Sequence, residues 1–123
     1  MKNFRELIVW QKAHQLTLDI YHVTSCFPKE ELFGLTSQLR RSAASVATNI
    51  AEGCGRSGEA EFARFLHIAA GSANEVEYHL LLAHDLSYLS DPDYARLLNS
   101  ITEIKRMLAS LITKIKAHQE SVH

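Results

Sequence analysis

The chain is short of the residues that interrupt helices. Among 123 residues there are only two prolines and five glycines. That is too few punctuators for an all-β domain with a tight turn every 8–12 residues. Two cysteines, Cys26 and Cys54, can form at most one bridge, which excludes a disulfide framework. Neither sign of charge is in surplus: 13 Lys+Arg stand against 14 Asp+Glu, a formal net charge of -1. A protein that lives on phosphate contacts usually carries a basic excess, and this one has none overall. Long apolar runs are missing too. "LLLA" at 80–83 is the longest near the middle, far short of the roughly 18 residues that cross a bilayer. The N-terminal "MKNFRELIVWQKAHQ" is broken by Arg5, Glu6 and Lys12 and lacks a signal-peptide core. The expectation is a cytoplasmic protein with reduced thiols.

What is present is hydrophobic periodicity. The chain is 46% hydrophobic, enough for one domain, 1–123, with a real core. Val9, Ala13, Leu16, Ile20, Val23 and Phe27 recur at spacings of four and three, one face of a helix over about 5–26. Asn3 and Glu6 resemble a capping box upstream of it. Leu35, Leu39, Ala43, Val46 and Ile50 form a second stripe over 32–53. Over 58–89, Phe62, Leu66, Ala69, Ala73, Val76, Leu80 and Ala83 make one line, with Phe65, Ile68, Leu82, Leu86 and Leu89 part of a second. A helix apolar over so wide an arc buries more than one side. A fourth helix over 92–117 keeps Tyr94, Leu97, Ile101, Ile104, Leu108, Leu111 and Ile115 in register, with Asp91 as its expected cap and Pro92 in its first turn. Residues 118–123 read as a frayed tail. No segment alternates with period two. Short connections then predict an all-α, up-down-up-down antiparallel four-helix bundle.

Between the second and third stripes, Gly53-Cys54-Gly55-Arg56-Ser57-Gly58 matches the dinucleotide-binding pattern G-x-G-x-x-G. The chemistry of that loop needs a strand before it and a helix N-terminus open to phosphate after it. Here a small-residue helix, "SAASVATNIAE", precedes the glycines, and Glu59 and Glu61 occupy the following first turn, where they would repel phosphate. The expected role is a hinge, with a helix cap at Gly53 or Gly55 and Ser57 capping the next helix.

The seven histidines do not fall in metal-binding spacing. Glu75 and His79 are four apart and Glu77 and His79 two apart, whereas carboxylate-bridged bundles use Glu-x-x-His. Ser57 is not in a G-x-S-x-G elbow, and no Cys or Ser is spaced in the sequence to show a base beside it. The residues therefore predict no enzyme, no metal and no cofactor.

Two polar stripes interrupt the apolar pattern. Arg41, Ser45, Thr48 and Glu52 run down one face of the second helix with Asn49 alongside, and Ser72, Glu75 and His79 interrupt the third. Buried polar groups must find partners. So Arg40, Arg41, Ser45, Asn49, Glu52, Ser72 and Glu75 are expected to form a network within the bundle or between subunits. Charge is also uneven. Residues 58–93 carry one cation and seven anions, net -6, whereas residues 94–123 are net +3 and residues 34–57 net +2. Such a split lets the acidic third helix of one copy meet a basic helix of another. A competing reading assigns RNA contact to Arg56, Lys105, Arg106, Lys114 and Lys116 as a basic strip.

The segments "FRELIVWQKAHQL", "FPKEELFGLTSQLRRSAASVATNIAEG" and "FLHIAAGSANEVEYHL" resemble the small four-helix bundle proteins encoded in intervening sequences of bacterial large-subunit ribosomal RNA genes. The resemblance covers about residues 4 to 90. It implies a homo-oligomer, a ring of five bundles, without known enzymatic activity, and kinship with the accessory protein of diversity-generating retroelements, a basic pentamer that works with a reverse transcriptase and its RNA. The family's characteristic positions correspond here to Trp10, Pro28, Glu31, Leu35, Gln38, Arg40, Arg41, Asn49, Glu52, Gly53, Gly71, Ser72 and Glu75. The function expected from residues and resemblance together is a non-enzymatic, homo-oligomeric scaffold or interaction module. An RNA-binding accessory protein is the alternative.

Overall fold

A computed structural model describes residues 2–121. It contains four α-helices: α1 Ile8–Thr24, α2 Leu35–Cys54, α3 Glu59–Asp85 and α4 Asp91–Ser121. Single 3-10 turns at Phe4–Glu6 and Lys29–Glu31 lead into α1 and α2. There is no strand among the described residues. The helices form a helical bundle in which α1 packs on α2 and α4, and α3 packs on α2 and α4.

The apolar stripes supply the core. Val9, Ala13, Leu16 and Ile20 of α1 are buried against Leu39, Ala43, Val46 and Ile50 of α2, the first line of α3, and Leu97, Ile101, Ile104 and Leu108 of α4. The interior is aliphatic, and each fully buried Leu or Ile contributes about 1.5–3 kcal/mol relative to exposure. Of the second apolar line expected over 58–89, Phe65 of α3 and Leu89 beyond its end are also buried, but Ile68 and Leu86 stay substantially exposed.

Cross-helix contacts fix the register. Lys12 pairs with Glu103 and Asp19 with Arg96, so numbers rise along α1 as they fall along α4. The same opposition holds for Ser42–His79 with Ser45–Ser72 between α2 and α3, and for Glu59–His118 with Glu77–Lys105 between α3 and α4.

Helix ends depart from expectation in five places, each for a local reason. Asn3 does cap, accepting a hydrogen bond from the Arg5 amide, but it caps the 3-10 turn and not α1. Ser57 caps nothing. Gly58 precedes α3 with φ 87°, a left-handed conformation that glycine adopts without strain, and no side chain caps there. At the start of α4 the Ser90 hydroxyl accepts from the Asp93 amide, while Asp91 turns to His84. At its other end α4 continues through Ser121, so 118–121 are helical and not a tail; residues 122 and 123 of that expected tail lie outside the described residues. Finally, α3 stops at Asp85 and not near Leu89. Ser87 takes φ 67° and the Tyr88 amide donates to the Ala83 carbonyl, the wide-looped bond of a Schellman ending.

Candidate functional site: the seam between the second and third helices

Helices α2 and α3 meet along a line of small residues, which lets the backbones approach and brings polar side chains together. At one end Gly53 lies inside α2, not at its cap. A Cβ placed there would sit 2.9 Å from Phe65 Cβ and 3.3 Å from the Phe62 carbonyl oxygen. Gly55 is the residue that closes the helix. Further along, Ser45 Oγ lies 2.9 Å from Ser72 Oγ, and Asn49 Nδ2 donates to both the carbonyl and the hydroxyl of Ser45. At the far end Ser42 Oγ lies 3.3 Å from His79 Nδ1. Ser42 also donates to the Leu39 carbonyl. A serine hydroxyl has a single hydrogen, which serves either the Leu39 carbonyl or Nδ1, and the ring's tautomer follows from that choice. Burial pushes the His79 imidazole below its ordinary range, with Glu75 pulling partly the other way.

Above these contacts opens a cleft of about 600 Å³. Its floor is Ser42, Ser45, Ser72 and His79, and its rim carries Phe33, Gln38, Arg41 and Glu75. The Phe33 ring is 95% exposed. Arg41 and Glu75 make no hydrogen bond or ion pair among the described residues, although they line the same cleft.

Not every expected member of the network reaches this seam. Arg40 turns the other way: its Nε donates to Thr24 Oγ1 at 2.8 Å and its guanidinium lies over the Tyr21 ring, so it ties α2 to α1. Glu52 stands at the exposed end of α2 beside Arg56, with 3.9 Å between charges. Adjacent residues on a helix point about 100° apart, which is why Arg40 and Arg41 serve different flanks.

The basic strip is dispersed. Lys105 is taken by Glu77 at 2.8 Å. Relative to Lys105, Lys116 points about 20° away around α4, Arg106 about 100° and Lys114 about 180°. Arg56 sits at the far end of α2, over the Phe65 ring. The glycine loop encloses only a small cavity of about 180 Å³, where Lys2 and Arg56 are faced by Glu59. Cys54 is buried there, and burial raises its thiol's pKa. Among the described residues no three His, Cys, Asp or Glu side chains gather as metal ligands. No described helix is long and apolar enough to cross a membrane.

Two residues carry more than the periodicity indicated. Glu31, in the turn before α2, accepts from the Leu35 amide with one carboxylate oxygen and from the Tyr88 hydroxyl with the other. It thus caps α2 and ties it to the end of α3, and holds the Tyr88 proton more firmly than usual. Gly34 leaves room for that carboxylate, since a Cβ there would lie 2.7 Å from Glu31 Oε1. Phe33 is the other: an aromatic in a sequence reads as core, and here it stands in solvent.

The fold and this seam define a small all-helical bundle protein with a polar, open cleft. The chain belongs to the 23S rRNA-intervening sequence protein family, whose model matches residues 5–110. It is also similar to a solved structure from Bacteroides thetaiotaomicron, a protein of unknown function from the S23 ribosomal protein family. The two are 30% identical with a TM-score of 0.77, over 85% of this chain and 98% of that one. No curated protein matches the chain.

Proposed function

We propose that this protein is a non-enzymatic, up-down-up-down antiparallel four-helix bundle that works as a homo-oligomeric interaction module. The opposed numbering of the cross-helix contacts supports the topology. The observation that carries self-association is the outward side of α3. Tyr78 and Leu81 are 59% and 42% exposed there, beside a groove between α3 and α4 lined by Asn74, Tyr94 and Lys105. The groove continues over Ala70, Ala109 and Ile112. Large apolar side chains gathered along one groove mark an interaction surface.

Charge supports contact between unlike faces. The segment holding α3 is net -6 and those holding α2 and α4 are net positive. An acidic face meeting a basic face is a heterologous contact, and such contacts close into rings when the rotation permits. The proposed assembly is therefore a ring, five being the number the family resemblance implies. The seam of α2 and α3, by contrast, gives Ser42, Ser45, Asn49, Ser72 and the Nδ1 of His79 partners within one chain, which supports a role for them in helix packing.

The test is light scattering on a size-exclusion column. Wild type is expected as one discrete oligomer, and Tyr78→Glu/Leu81→Glu as a folded monomer. A monomeric wild type, or an unchanged mass in the double variant, overturns the reading. An RNA-binding strip on α4 finds less support, because Lys105 is paired and the remaining cations spread over about half the helix circumference.

A further inference from the structure

The cleft over the α2–α3 seam holds three features that helix packing leaves unexplained. Arg41 and Glu75 carry opposite charges on one cleft yet bind neither each other nor any other described residue. His79, only 8% exposed, lines the same cleft, and its Nε2 has no hydrogen-bond partner among the described residues. Phe33 presents a whole aromatic ring at the rim, and leaving a Phe in water forfeits about 1.5–3 kcal/mol of burial.

These groups select a ligand by elimination. A simple anion meets Glu75, and a simple cation meets Arg41. An apolar body meets a floor of three serines. An aliphatic zwitterion satisfies both charges but leaves the Phe33 ring unused. The complement is a flat, polar ring with an acceptor edge for the guanidinium and a donor edge for the carboxylate. Guanine has both: O6 and N7 accept from an arginine fork, and N1–H with the N2 amino group donates in parallel to a carboxylate. Adenine has no such pair of adjacent donors. Unstacked bases are held by aromatic faces and by hydrogen bonds to their edges, and a cleft of about 600 Å³ accepts a purine.

We infer that the cleft between α2 and α3 is a binding site for an unpaired guanine base, with Phe33 stacking on the ring, Arg41 reading O6 and N7, and Glu75 accepting from N1–H and the N2 amino group. The hydroxyls of Ser42, Ser45 and Ser72 and the Nε2 of His79 supply the polar floor. Nothing in this site requires self-association, since Tyr78 and Leu81 face the groove on the α4 side.

The experiment is nuclear magnetic resonance titration of the full chain with GMP, AMP, CMP and UMP, and with single-stranded hexamers containing one guanine or none. GMP or the guanine hexamer is expected to bind at least about tenfold more tightly than its counterparts, the discrimination one good bidentate contact provides. The strongest shifts should fall on Ser72, Glu75 and His79. Equal affinity for GMP and the guanine hexamer marks a free-nucleotide site, and preference for the hexamer marks a nucleic-acid loop; either supports the inference. Glu75→Gln should remove the preference for guanine, and Phe33→Leu should weaken all ligands alike. Melting curves of both variants confirm that they are folded. Absence of binding at millimolar ligand, equal binding of all four bases, or full guanine preference in Glu75→Gln overturns it. Light scattering on the same samples reports assembly separately, so the cleft reading can fail while the oligomer stands.

Discussion

Two seams of the bundle, α2–α3 and α1–α4, are built on different principles. Between α2 and α3, uncharged polar groups that are buried or partly buried pair with one another: Ser45 with Ser72 and Asn49, Ser42 with His79, and Gly53 lies tight against two phenylalanines. Between α1 and α4, aliphatic side chains fill the interior, and the polar contacts are solvent-exposed ion pairs, Lys12–Glu103 at 3.1 Å and Asp19–Arg96 at 3.7 Å. Buried hydrogen bonds penalise any misregistered packing, because a group moved off its partner is left unsatisfied at about 1–3 kcal/mol. Exposed ion pairs carry no such penalty, since water replaces either partner. The α2–α3 seam therefore specifies the bundle, and the α1–α4 seam closes it.

The sharpest way to break this contrast is at Gly53. Gly53→Leu must drive a side chain into the Phe62 backbone and the Phe65 Cβ, so the variant should lose about 3 kcal/mol. Chemical denaturation should register that loss as a lowered midpoint. Gly55→Ala, two residues away, meets nothing closer than 3.6 Å and serves as the control; it should be close to neutral. Equal losses at both positions would show that close approach does not explain Gly53.

The next effect depends on pH. The folded chain depresses the pKa of His79 from its ordinary 6.5, because burial penalises the charged ring. As pH falls below that value the unfolded chain takes up the proton first, so the folded state loses stability. Above it both states are neutral and the contribution is flat. Thermal melts between pH 7.5 and pH 5 should therefore drop more steeply in wild type than in His79→Asn. Identical slopes would remove His79 from the account of the seam.

The smallest effect belongs to the other seam. Lys12→Met should change stability by no more than about 0.5 kcal/mol, because both partners of the Lys12–Glu103 pair are exposed. A loss above about 1.5 kcal/mol in a denaturation curve would mean that the α1–α4 seam is specified electrostatically after all.

Much of the fold can be read from spacing alone. The stripes beginning at Val9, Leu35, Phe62 and Tyr94 are buried except for Val23, Tyr94 and Leu111, which are partly buried, because a period of three and four residues dictates a helical face whatever it packs against. Small residues along α2 and Ser72 of α3 likewise announce a close, polar seam. The failures share one cause. Arg40 and Arg41 flank the same stripe, and nothing local states which flank α1 will cover and which will face α3. Ser57, Asp91 and Ser87 sit where several residues compete for a helix end, and the difference between those choices is small compared with the packing energy that settles it. The cations of α4 form a strip only if their angular positions are ignored.

The sequence by itself therefore determined the number of helices, their apolar faces and the membership of the core, because these depend on periodicity and on removing apolar surface from water. Only the tertiary structure decided which polar side chains become partners, that Glu31 bridges α2 to Tyr88, that Phe33 stands in solvent, and that Arg41 and Glu75 share a cleft without pairing. Those outcomes depend on the order in which helices surround the core and on distances of a few ångströms between residues dozens of positions apart. No local pattern of residues encodes that geometry.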